Sequence, residues 1–157
     1  MTKQTWMALV LGIFSAFTVQ ITVAHEAPQN VPNIVPVIQH LQSKGYVPIH
    51  EIKFDDGMYK AEIWKGNDQE IKLEINPQTK EITQTKTKQE THPALPAVKL
   101  SLLEIVKKVE AAGYHSVYKI KFKMSRYEVK ALDKEGKKVE LNVDANTGKV
   151  NKEGWFD

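Results

Sequence analysis

From Ile34 onward, apolar residues first fall three and four apart, at Ile34, Val37, Ile38 and Leu41, which is the spacing of one helix face. Asn33 stands where an N-cap is wanted, Pro36 suits a first turn, and Gly45 is placed to close the helix. The period then drops to two. Ile52 and Phe54 alternate with Glu51, Lys53 and Asp55, Asp56-Gly57 signals a hairpin turn, and Tyr59, Ala61 and Ile63 alternate with Met58, Lys60 and Glu62. A third alternation sets Ile71, Leu73 and Ile75 against Glu70, Lys72 and Glu74. Asn76-Pro77 breaks it, and a short strand is expected at Glu81-Ile82.

The same text returns 68 residues later. Gly45-Tyr46 recurs as Gly113-Tyr114, Ile52-Lys53-Phe54 as Ile120-Lys121-Phe122, and Tyr59, Leu73 and Thr79 as Tyr127, Leu141 and Thr147, with no gap between the anchors. The second copy opens with Ser101 as N-cap, Glu104 as its capping-box partner, and a stripe of Leu102, Ile105, Val106 and Val109. Helices of roughly three turns are too short to stand alone in water, so each must lie on the apolar face of its own alternating strands. The predicted fold class is therefore α+β: a tandem repeat of two units, each one helix packed on a three- to four-stranded antiparallel sheet. The folded units are expected over Val31 to Thr83 and Lys99 to Asn151. Thr83 to Val98, rich in Thr, Lys and Gln and then in Pro, reads as a strand end followed by an inter-unit linker.

Met1 to Ala24 stands apart from the repeat. Lys3 gives a positive start, Trp6 to Val19 an apolar run, and Thr22-Val23-Ala24 a small-residue ending like that of a cleaved signal peptide. An uncleaved anchor is the rival reading, since the run approaches spanning length. The domain organisation expected is residues 1–24 as signal peptide, 25–98 as first repeat with arm and linker, and 99–157 as second repeat. The protein is then periplasmic or secreted, released near Ala24. There is no cysteine, which removes thiol and disulfide chemistry and leaves stability to packing. Without Lys3 the chain carries 21 basic against 19 acidic side chains, which gives no reason to expect nucleic acid. The sharing is uneven, with 8 basic and 9 acidic groups in residues 31–92 but 13 and 9 in residues 93–157.

With helix, Gly-Tyr, hairpin and the ending Val143-Asp144-Ala145-Asn146-Thr147-Gly148-Lys149-Val150, each copy resembles a PepSY domain, and the resemblance covers nearly all of the mature chain. The first copy departs from that ending at Asn76-Pro77-Gln78-Thr79-Lys80-Glu81-Ile82, where Lys80 replaces the turn glycine. The resemblance implies a non-catalytic module, found also in propeptides of thermolysin-like metalloproteases, that binds or restrains a protease or another envelope protein. No catalytic residues and no cofactor come with it.

The residues agree with that implication. Glycine-rich phosphate loops, nucleophile elbows and His-Glu-x-x-His motifs are absent from the sequence, and His25, His40, His50, His92 and His115 lack metal-site spacing. The weak metal candidate is His25, whose imidazole and freed amino group would chelate copper after cleavage, and with it goes the alternative reading of a small-ligand or metal-binding accessory protein. The candidate protein-binding surface is the sheet face opposite the helix. There the second copy aligns Lys119, Lys121 and Lys123 with Arg126, a positive patch suited to an acidic envelope partner, a protease or a membrane-associated sensor, or to peripheral contact with an anionic membrane. Trp64 is either an apolar anchor on the matching face or a packing residue between the units. Trp155-Phe156 either seals a core edge or forms an exposed apolar end.

Overall fold

A computed structural model describes residues 30–153. The leader, His25 and Trp155-Phe156 lie outside the described residues. The elements are α1 (Val35–Ser43), β1 (Ile49–Asp55), β2 (Met58–Lys65), β3 (Gln69–Ile75), β4 (Ile82–Gln89), α2 (Leu102–Ala111), β5 (His115–Lys123), β6 (Arg126–Leu132), β7 (Lys138–Asp144) and β8 (Val150–Lys152). Helix, hairpin and meander thus occur twice in the same order.

Local chemistry sets the ends of these elements. Ser101 Oγ accepts from the Glu104 amide at 3.3 Å while Glu104 Oε2 accepts from the Ser101 amide at 2.8 Å, the reciprocal box expected for α2. In α1 the cap position falls on Ile34 rather than Asn33. Asn33 Oδ1 still accepts from the Val35 amide at 2.9 Å, the bond that a cap at Asn33 would make. Gly45 and Gly113 follow the helices at φ 78° and 91°, a conformation that costs a side-chain-bearing residue about 1–2 kcal/mol.

The two copies do not keep separate sheets. β1 pairs antiparallel with β5, and one eight-stranded sheet results in the order β4-β3-β2-β1-β5-β6-β7-β8. Opposite residues across the seam are Glu51 with Lys121, Ile52 with Ile120, and Lys53 with Lys119. The 68-residue offset carries the first of these pairs into the third and the second into itself, so a local twofold axis passes between Ile52 and Ile120. The physical reason for the merger is the edge problem: each meander alone would leave its first strand with a row of unpaired backbone groups, and joining the two hides both rows.

The second departure from expectation is β4. It extends to Gln89, taking in seven residues that the sequence assigns to a strand end and linker. Its side chains are mostly exposed, so backbone pairing with β3 and the β-branched Thr83, Thr85 and Thr87 hold it, not an apolar face.

Val37, Ile38 and Leu41 of α1 and Leu102, Ile105, Val106 and Val109 of α2 join Ile52, Tyr59, Ile63, Leu73, Ile120, Val129 and Leu141 of the strands in one buried cluster. Each large aliphatic removed from water there contributes about 1.5–3 kcal/mol. The aromatic corner is also repeated, Phe54 lying 5.2 Å from Tyr59 and Phe122 5.1 Å from Tyr127 between ring centroids. In the first copy Tyr59 Oη donates to the Pro32 carbonyl at 2.6 Å.

The degraded turn keeps its geometry. Lys80 adopts φ 62° where Gly148 has 72°, and both amides donate back to residue 76 or 144 at 2.9 Å. Asn76 Oδ1 gathers the amides of Gln78 and Thr79 as Asp144 Oδ1 gathers those of Asn146 and Thr147. A side chain at position 148 would have no room, because its Cβ would stand 2.9 Å from Lys108 Cγ.

Candidate functional site: the open sheet face

The polar residues of each strand alternate onto the sheet face away from the buried cluster, and there they form ion pairs at equivalent places in both copies with the signs reversed. Asp55 meets Lys60 at 2.7 Å in the first copy, and Lys123 meets Glu128 at 3.1 Å in the second. Glu62 meets Lys72 at 2.8 Å, and Lys130 pairs with Glu140. The offset maps each acid onto a base and each base onto an acid. Cross-strand neighbours of opposite sign are favourable whichever strand carries which charge, so the pairing survives the inversion.

The seam depends on a further reversal of sign. Glu51 corresponds to Lys119, and this buried residue takes Lys121 Nζ at 2.7 Å and Lys119 Nζ at 3.1 Å from the neighbouring copy on its carboxylate. Burial pushes the Glu51 carboxyl up, but the hydrogen bonds from Lys121 and Lys119 outweigh it and hold the group below the usual carboxylate range. The bond to Glu51 raises Lys121 in turn. A lysine at position 51 would have placed four ammonium groups, with Lys53, across one short ladder.

The structure therefore places the four predicted cations in two settings. Lys119 and Lys121 are half-buried and engaged at the seam. Lys123 and Arg126 are exposed at the β5–β6 turn, sharing Glu128 at 3.1 and 3.6 Å, with Arg126 Nε also donating to Asn142 at 2.8 Å. Between them sits Met124, 86% exposed and at φ 57°. In the first copy the same turn is Asp56-Gly57, at φ 51° and 77°. Strand alternation carries Met124 inward after Ile120 and Phe122, but the structure turns it out at a left-handed turn position; the contrary signal in the sequence was the loss of the Asp-Gly turn pair at Met124-Ser125.

Trp64 lies on the open face of the first copy. Its indole is stacked between two imidazoles, His50 at 3.6 Å and 13° and His92 at 4.2 Å and 22°. His50 comes within reach because it is the extra residue of a bulge between Ile49 and Glu51. His92 arrives from the linker, held by its amide to the Asn67 carbonyl at 3.0 Å and by Nε2 to the Gln69 carbonyl at 3.2 Å. Trp64 thus packs within the first unit, a third arrangement beside the anchor and inter-unit roles foreseen for it.

An apolar cleft lined by Val47, Pro48, Leu95, Leu100, Phe122 and Tyr127 opens on the helix side, where the linker passes the α1–β1 loop. Among the described residues no three or more His, Asp or Glu side chains gather as metal ligands.

No curated protein and no solved structure matches the chain. A PepSY family model, described as peptidase propeptide and YPEB domain, matches twice, over residues 6–86 and 90–154. Modules of this kind commonly serve as protease propeptides or inhibitor-like domains. With both copies matched in tandem across almost its whole length, the chain belongs to the PepSY domain family.

Proposed function

We propose that the protein is a non-catalytic binding module of the cell envelope, periplasmic or secreted once residues 1–24 are removed, whose open sheet face engages an acidic protein partner and inhibits or tunes it. A protease or a membrane-associated sensor is the partner class that fits. The observation that carries the reading is the cation surplus of the second copy: Lys119, Lys121, Lys123 and Arg126 share the two carboxylates Glu51 and Glu128. The equivalent positions of the first copy, Glu51, Lys53, Asp55 and Met58, hold one cation and two acids. Lys119 and Lys121 then serve as the supporting edge of the surface, and Lys123, Arg126 and Met124 as the part that reaches a partner. A contact of this kind hastens encounter and weakens as salt rises. Peripheral contact with an anionic membrane would draw on the same charges.

The test is a double variant, Lys123→Gln with Arg126→Gln, which removes the two displayed cations without setting new acids beside Glu128 and leaves the seam untouched. Crosslinking capture of the partner from native envelope should be lost while the melting temperature stays put. Capture at the wild-type level would remove the surface from consideration. A second reading, a small-ligand accessory protein, draws on the apolar cleft beside Tyr127, and its metal form on His25. Calorimetry with copper and zinc decides that form, since sub-micromolar binding abolished by His25→Ala would favour it and no heat would retire it.

A further inference from the structure

His50 and His92 enclose Trp64 from opposite sides and come from opposite ends of the first unit, so the stack joins the linker to the sheet. On one side, Trp64 bonds its own amide to the Pro48 carbonyl at 3.3 Å, just before the bulge that carries His50. On the other, the linker is tied down at its start by the Glu90 and His92 amides, to the carbonyls of Asp68 at 2.9 Å and Asn67 at 3.0 Å. His50 is 8% exposed, and its Nδ1 is shielded from solvent without a hydrogen-bond partner. The slot therefore accepts a neutral imidazole with a bare Nδ1. A second proton would have to be placed on that nitrogen with no acceptor in reach, which is costly in a buried site.

We propose that the His50–Trp64–His92 stack is an acid-released latch, which pins the start of the inter-unit linker to the first unit at neutral pH and frees it when His50 takes up a proton. The groups facing His50 come from every strand around it. Glu51 of β1, Glu62 of β2 and Glu70 of β3 favour the imidazolium, whereas Lys121 of β5 opposes it. Two of those acids are already engaged by Lys72, Glu62 at 2.8 Å and Glu70 at 3.2 Å, and Glu51 by Lys119 and Lys121. Burial and then Lys121 dominate, and the His50 imidazole is held below its ordinary range. A base depressed in this way keeps its full contribution above the free imidazole value near 6.5 and loses it as pH falls through the lower folded value. Once charged, the ring gains by leaving the slot for water. Trp64 then loses the packing on one face, and His92, seated on the other, loses its support.

The latch does not depend on the protein-binding proposal, because its readout is internal. The experiment follows the full chain by NMR from pH 7.5 to 5, recording the His50 ring resonances and the exchange of the Glu90 and His92 amides corrected for intrinsic rates. The two should change together below pH 6.5, with exchange rising severalfold. His50→Phe, a flat uncharged ring that preserves stacking, should abolish the rise. His92→Phe should retain a His50-driven rise at Glu90. Melting curves at pH 7.5 confirm that each variant is folded. The latch is overturned if the amides stay protected across the range, if they open without His50 titrating, if His50→Phe leaves the rise in place, or if His92→Phe removes it.

Discussion

Glutamine in place of Glu51 keeps the shape of the side chain and one acceptor oxygen but leaves Lys119 and Lys121 on the same strand face without a counter-charge. Exposed ion pairs contribute about 0–1 kcal/mol, whereas stranding one partner of a fully buried pair costs about 3–5 kcal/mol. Here the acid is 11% exposed at its side chain and the two lysine side chains 30% each, between those limits. The expected cost of Glu51→Gln is therefore about 2 kcal/mol at neutral pH. Urea denaturation of the variant and of the wild type measures it directly. Because the Glu51 carboxyl is depressed in the fold, its contribution is full above the unfolded carboxyl value near 4.3 and is lost as pH falls through the lower folded value. The difference between the two proteins should accordingly shrink in acid. In a background where Lys119 and Lys121 are both methionine, Glu51→Gln should stabilise or be neutral, since it removes a buried charge that has lost its partners. A loss under about 0.5 kcal/mol in the native background, smaller than one weak hydrogen bond, would refute the seam as an electrostatic lock. So would an equal loss in both backgrounds.

The repeated tyrosines give a matched comparison: Tyr59→Phe loses the bond to the Pro32 carbonyl and should cost about 1 kcal/mol in thermal or urea unfolding, whereas Tyr127→Phe, whose ring borders the cleft, should cost less than half as much. Lys80→Gly should stabilise by up to about 1 kcal/mol through relief of a left-handed backbone, while Gly148→Ala should destabilise by more than that, because it adds the same strain to a contact with Lys108; equal effects of one sign would contradict the turn geometry.

Periodicity carried the helices, the hairpins and the core, because three-four and two-residue spacings state directly which side chains share a face. It could not reveal the seam. Strand alternation says which face a residue occupies but not which strand lies beside it, and the trace of β1 against β5 was one of several sign reversals, Glu51 for Lys119, with nothing in the spacing to set it apart. β4 escaped for a different reason: Thr, Gln and Lys exposed on both faces leave no amphipathic signature, and the strand is held by its backbone. The patch was half legible. The sequence grouped Lys119, Lys121, Lys123 and Arg126 on one face, yet only the pairing of strands separates the two spent at the seam from the two displayed at the turn. For Trp64 the partners were unreachable by spacing, since one sits in a bulge and the other in a segment read as linker. Lys80 shows the opposite case, in which side-chain identity argued against a turn that Asn76 and the backbone nevertheless close.

Whether the two copies form one sheet is decided by nuclear Overhauser contacts between β1 and β5, residues separated by more than sixty positions in the chain. Backbone and side-chain contacts should appear between Glu51 and Lys121, Ile52 and Ile120, and Lys53 and Lys119, with both copies tumbling as one body. Absence of these contacts, together with independent tumbling of two units, would contradict it.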